Sequence, residues 1–89
     1  MNYRATGKFW KCYFDLPEAI QELADKNFAL LKADPEHPSL HFKEIKGRDG
    51  LWSARVGDHY RALGLLEGDD MYWFWIGHHS TYNNLIKRL

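Results

Sequence analysis

The sequence predicts an α+β domain: two N-terminal helices packed on a four-stranded, mainly antiparallel sheet, followed by a short C-terminal helix. Apolar residues recur at helical spacing before Pro35 and at strand spacing beyond Pro38. Three strand-like runs, LWSARV, YRALGLL and MYWFWIG, are separated only by the loops GDH and EGDD. Loops that short make the three antiparallel neighbours. Helices first and strands afterwards is the segregated order of an α+β fold, with the helices expected on one face of the sheet.

Each element has its own local reason. Thr6 can cap a helix whose residues Phe9, Cys12, Tyr13 and Leu16 follow the i, i+3, i+4, i+7 pattern. Asp15, Pro17 and Glu18 then mark a second start, as an acidic cap, an early proline and a first-turn acid. Leu16, Ile20, Leu23, Ala24, Asn27, Phe28 and Leu31 share one face of that second helix, and Asn27 is the single polar residue among them. The helix ends by Asp34, because Pro35 and Pro38 disfavour a helical residue before them. Leu40, Phe42 and Glu44 alternate with His41, Lys43 and Ile45 in a short first strand, and GRDG (47–50) turns into the second. At the C-terminus Ser80 or Thr81 is the expected cap of the last helix, and Lys87 and Arg88 suit its end. Residues 1–5 fit either an added edge strand or a loose tail.

The totals fit one domain spanning residues 1–89. Hydrophobic residues make up 45% and aromatic residues 16% of the chain, which suits a small core built on large side chains. Lys+Arg and Asp+Glu are 12 each, so a nucleic-acid surface has to come from local clustering. The one cysteine, Cys12, cannot form an internal disulfide and fits a reducing, cytoplasmic setting. The N-terminus lacks the apolar run of a signal peptide, and no stretch reaches the length of a membrane span.

Chemistry concentrates in the second half. With a three-residue loop Gly57-Asp58-His59, Val56 faces Tyr60 and Arg55 faces Arg61, and both guanidiniums lie on one side of the hairpin. Such a pair calls for an anion or a carboxylate between them. A two-residue loop puts them on opposite faces, and pairing with ordinary Asp or Glu at a sheet margin is the plainer reading. In a regular strand 71–79, His79 shares a side with Met71, Trp73, Trp75 and Gly77. His78 shares the other with Tyr72, Phe74 and Ile76. The two imidazoles then point apart, which argues against a metal site using both, and no cofactor is expected. His79 and Tyr82 overlook the same rim, where a histidine can move protons near neutral pH and a tyrosine can stack on a base. The competing reading makes His79 a backbone cap and Tyr82 a core residue. Lys43, Lys46, Arg48, Arg55 and Arg61 gather around the strands, while Asp15, Glu18, Glu22 and Asp25 lie on the second helix. Asp49, Asp58, Asp69 and Asp70 dilute the basic half. No phosphate-binding Gly-rich loop, nucleophile elbow or zinc-finger spacing is present.

The run LWSARVGDHYRALGLLEGDDMYWFWIGHHSTYNNL resembles the toxins of bacterial toxin–antitoxin modules of the RelE/ParE superfamily. The shared features are a W-S-x-R-V strand, a turn, Y-R with apolar residues after it, an acidic turn, an apolar strand and a terminal G-x-H-x-x-Y. LPEAIQELA and DPEHPSLHFK extend the likeness to residues 6–85. The resemblance implies a translation inhibitor that cleaves mRNA on the ribosome, with a cognate antitoxin as partner. It places Arg61 on the scissile phosphate, Arg55 beside it, and His79 and Tyr82 in proton transfer and base stacking. Separately from the resemblance, the clustering of basic residues around the strands makes Lys43, Lys46 and Arg48 candidate substrate contacts. The chain departs from many members in its zero net charge. It lacks a matching carboxylate before the first sheet strand, where Glu36 and Glu44 are only neighbours, and has Ser53 and Arg55 where others carry lysines. The superfamily also contains DNA gyrase inhibitors and non-toxic relatives, so those two readings stay open beside the ribonuclease.

Overall fold

The computed structural model describes residues Met1–Leu89. Strand β1 (Asn2–Ala5) leads into helices α1 (Gly7–Phe14) and α2 (Glu18–Ala33). A 3-10 turn (Pro38–Leu40) precedes strands β2 (Lys43–Glu44), β3 (Leu51–Val56), β4 (Tyr60–Glu67) and β5 (Asp70–His78), and helix α3 (His79–Arg88) closes the chain. The sheet has five strands in the order β1-β5-β4-β3-β2.

Residues 1–5 are therefore a strand, parallel to β5, with Tyr3 opposite Met71 and Ala5 opposite Trp73. Asn2 N–H donates to Asp69 O at 2.8 Å and Thr6 N–H to Trp73 O at 3.0 Å. β1 thus occupies the outer edge of the aromatic strand, where unpaired backbone groups invite aggregation. At the other edge, the strand expected over 40–45 shrinks to two residues. His41 adopts a left-handed conformation, φ 45°, after the proline-led 3-10 turn, and this breaks the alternation read from the sequence.

Thr6 caps α1 as expected, accepting from Phe9 N–H at 3.2 Å. Asp15 does not cap α2: its N–H closes α1 on Lys11 O, and Pro17 holds the first position before α2. Leu16 leaves the helical path but is buried in the core. The two helices are tied by Tyr13 Oη, which donates to Asp25 at 2.7 Å. Asn27, the polar residue on the apolar face of α2, donates from Nδ2 to Arg55 O at 3.3 Å. That bond spends its polarity on the backbone of the β3–β4 hairpin.

The core divides between the two faces of the sheet. On one, Leu16, Leu31 and Leu40 pack on Ala54, Val56, Ala62, Met71, Trp73 and Ile76. On the other, Leu51, Leu63 and Trp75 meet Tyr82, Leu85 and Ile86 of α3. The expectation that all helices share one face is thus corrected for α3. The expectation that Trp73 and Trp75 share a face is also corrected. Leu63 pairs with Trp75 and Gly64 with Trp73, so Phe74 is an extra residue in β5 and the ladder shifts there. A bulge of this kind inverts the alternation beyond it. The two indoles go to opposite faces, one under the N-terminal helices and one under α3.

Gly64 makes the bulge region possible. A Cβ at Gly64 would lie 2.6 Å from Met71 Sδ and 2.9 Å from Trp73 Cε3. Gly64→Ala should therefore lower stability by about 1–3 kcal/mol, the usual cost of overpacking a filled core. Urea unfolding of the two proteins checks this, and an unchanged midpoint would contradict the close packing.

Candidate functional site: a cationic cleft on the α3 face

Arg55 and Arg61 are direct cross-strand partners, and Val56 pairs with Tyr60. The loop is thus the three-residue Gly57-Asp58-His59, and both guanidiniums start from the face that α3 covers farther along. Gly57 has φ 66°, and a Cβ there would sit 2.6 Å from Leu23 Cδ2 on α2. Only glycine both adopts that backbone conformation freely and allows the helix so close.

The arginines do not contact each other. Arg55 is folded onto its own turn: Nε donates to Gly57 O at 3.0 Å and Nη2 to Asp58 Oδ1 at 3.0 Å. Its Nη1 lies 3.4 Å from His41 Nε2. Arg61 donates from Nη1 to Tyr60 O at 2.7 Å and has no carboxylate partner. The Arg55–Asp58 ion pair is exposed on its acidic side, with 82% of the Asp58 side chain accessible. Exposed pairs contribute little and yield readily to a competing anion.

A cleft of about 300 Å³ opens here, lined by His41, Lys43, Ser53, Arg55, Arg61, His79, Tyr82 and Asn83. It holds cations, imidazoles and hydrogen-bonding groups, and its wall carries no carboxylate. Sequence reasoning had brought Arg55, Arg61, Lys43, His79 and Tyr82 to one place, and the structure gathers all five. Lys46 is exposed away from the cleft. Arg48 is turned to the far end of α3, where Nη2 donates to Ile86 O at 3.3 Å, so neither Lys46 nor Arg48 lines the cleft with the other five. Glu44 accepts from Gly50 N–H at 2.8 Å and braces the 47–50 turn.

Three cleft residues escaped the sequence reading. Ser53 shares a strand face with Arg55, and Asn83 stands one helical turn after His79, so periodicity carried both signals. His41 could not be found that way, because its placement depends on the left-handed kink after Leu40.

The α3 boundary positions the rest. His78 is both the last residue of β5 and the cap of α3, its Nδ1 accepting from Ser80 N–H at 3.2 Å. Helix α3 therefore starts at His79, earlier than a Ser80 or Thr81 cap allows. The strand alternation ends at that point. The His78 and His79 rings lie side by side, centroids 4.5 Å apart, where the sequence suggested that they point apart. Tyr82 rests on Trp75 at 6.4 Å between ring centroids while also lining the cleft, so the packing role and the exposed role coexist.

The His79 imidazole is pushed below its ordinary pKa by partial desolvation, and further by the nearby His78, His59 and Arg61. It therefore favours the neutral form more than an ordinary imidazole does. The unfolded chain takes up this proton more readily than the folded one, so acidification through about 6.5 and below subtracts stability. An NMR pH titration should find the His79 midpoint below the ordinary imidazole value of about 6.5. His78→Asn keeps a good capping side chain and removes one neighbouring charge, so the midpoint should rise. A wild-type midpoint at or above the ordinary value would contradict the crowding of cations around His79.

Comparison with known proteins follows the same lines. Residues 18–84 match the ParE-like toxin domain. The chain belongs to that family. No curated protein sequence matches it. Among solved structures, the RelB–RelE antitoxin–toxin complex of Methanococcus jannaschii matches with TM-score 0.74 and 19% identity, over 92% of this chain and 96% of that one. YafQ of E. coli BL21(DE3) matches with TM-score 0.72 and 13% identity, over 91% and 96%. The RelBE2 toxin–antitoxin complex of Mycobacterium tuberculosis matches with TM-score 0.64 and 25% identity, over 86% and 95%. The chain thus shares the fold of these RelE and YafQ chains. No helix is long and apolar enough to cross a membrane.

Proposed function

We propose that this ParE-like toxin is the toxic half of a type II toxin–antitoxin pair and cleaves mRNA held on the ribosome, with the cationic cleft as its phosphate site. The observation that carries this reading is the joining of two guanidiniums, two imidazoles and a tyrosine in one cleft with no acidic wall. A scissile phosphate entering the cleft displaces the exposed Asp58 from Arg55 and meets the unpaired Arg61. The RNA 2′-hydroxyl attacks the adjacent phosphorus, and the P–O5′ bond breaks. Charge grows on the phosphoryl oxygens in the transition state, where prepositioned cations act most strongly.

Two protons move in this reaction, one from the 2′-hydroxyl and one to the departing 5′-oxygen. His79, whose lowered pKa favours the neutral form, suits acceptance of the 2′-hydroxyl proton, and the departing 5′-oxygen takes its proton from a separate donor. His41 supplies the second imidazole, its Nε2 facing Arg55 Nη1 at 3.4 Å. A carboxylate base is then not required, which accounts for the absence of a matching acid before the first sheet strand. Tyr82, packed at a tilt on Trp75 and open to the cleft, orients a base.

A cognate antitoxin is the expected partner. The related chains of Methanococcus jannaschii and Mycobacterium tuberculosis stand in toxin–antitoxin complexes. Trp10 and Phe28 remain exposed on the α1–α2 side, at an apolar cavity of about 210 Å³ between those helices and the sheet. Exposed aromatic patches of this kind mark interaction surfaces.

Arg61→Ala should fold normally and reduce cleavage of a translated message by about 10²–10³, the usual effect of removing one transition-state charge contact. Single-turnover cleavage on programmed ribosomes measures it. Cleavage at the wild-type rate would overturn the assignment. Growth arrest that survives the double change Arg61→Ala and His79→Gln would favour the gyrase-inhibitor reading instead.

A further inference from the structure

Three of the chain's five histidines, His59, His78 and His79, present ring nitrogens that all lie within 4.8 Å of one another. They come from two separate segments, the β3–β4 loop and the junction between β5 and α3. Those segments are locked together by the backbone, because His79 N–H donates to His59 O at 2.8 Å. The β4–β5 ladder runs right up to the cluster, with Tyr60 paired to His78. The ligand-bearing backbone is thus fixed before any ion arrives, and only side-chain rotation remains.

We propose that His59, His78 and His79 form a three-imidazole site for a divalent transition-metal ion of the zinc class, and that loading it silences the toxin. The second half rests on His79 acting as a proton carrier in the cleft. Imidazole suits such ions, and three histidines leave a fourth, open position for water. With a metal–nitrogen distance of about 2.1 Å, tetrahedral ligands stand roughly 3.4 Å apart. His59 and His78 are exposed and close that gap by rotating. His78 Nδ1 lies 3.0 Å from Ser80 Oγ. Binding through Nε2 moves the proton to Nδ1, which then donates to that hydroxyl and gives up its bond from Ser80 N–H, so loading exchanges the α3 cap for the usual outer contact of a metal-bound histidine. The ion takes the His79 lone pair that would otherwise accept a proton. Arg61, which lines the cleft together with His79, opposes the positive ion and weakens its binding.

The test titrates Zn²⁺ into the purified full chain by calorimetry. One ion per chain is expected for wild type, with at least a tenfold loss in His59→Gln and in His78→Asn, and no loss in His37→Gln, an unrelated histidine. Equal affinity in wild type and both ligand variants would overturn the site. In a parallel cleavage reaction, Zn²⁺ should inhibit wild type and spare His59→Gln, which keeps every cleft residue. Binding without selective inhibition would retain the site and overturn its control of His79. Failure of metal-free wild type to cleave would remove the ribonuclease reading while leaving the binding result to decide the site.

Discussion

The extra residue at Phe74 is the constraint on which the molecule turns. Without it, strict alternation would send Trp73 and Trp75 to one face of β5 and leave the other short of large side chains. With it, Trp73 completes the core beneath α1 and α2, and Trp75 becomes the platform on which α3 sits. The same inversion puts Gly77 opposite Arg61 and carries the chain into α3 on the arginine side of the sheet. Both cores and the position of His79 and Tyr82 therefore follow from one irregularity. Gly64, with no Cβ to strike Met71 and Trp73, is the partner that lets the ladder shift without a void or a clash.

The cleft shows how a chain of zero net charge concentrates cations. Strand pairing places Arg55 directly across from Arg61, and the 43–53 pairing adds Lys43 to the same rim. The acids that balance them are spent elsewhere: Asp25 on Tyr13, Glu44 on the 47–50 turn, Asp70 on Arg4. Only Asp58 faces the cleft arginines, and it does so from solvent. The repulsion stored there is offset by the tertiary ties around it, from Asn27 to the hairpin backbone and from Leu23 against Gly57. The scaffold thus holds the two arginines across one strand pair with only the exposed Asp58 as their acidic neighbour.

Much of this was legible in the sequence. The helices over 7–14 and 18–33, the three hairpin-linked strands and the arginine pairing all follow from spacing and loop length. What was not legible shares one cause, the breakdown of period. The bulge at Phe74 has no glycine or proline beside it in β5 to announce it, and its signal is Gly64 on the partner strand. The left-handed His41 lies three residues beyond Pro38 and is not itself a glycine or asparagine. His78 does double duty as strand end and helix cap, a role for which Ser80 and Thr81 looked better suited. Each break moved residues at or beside the cleft: Trp75 and Gly77 to the cleft side, His41 into the cleft, and His78 against His79. Long-range ties misled in the same way, since nothing local tells Arg48 to reach the end of α3.

The central claim is that the cleft stabilises attack by a 2′-hydroxyl on its own phosphate. The most direct measurement is the end chemistry of RNA cut by purified wild type on programmed ribosomes, read by mass spectrometry of both fragments. The account predicts a 2′,3′-cyclic phosphate or its 3′-phosphate hydrolysis product upstream and a free 5′-hydroxyl downstream. Fragments with a 3′-hydroxyl and a 5′-phosphate, or intact RNA in the presence of folded protein, would contradict it.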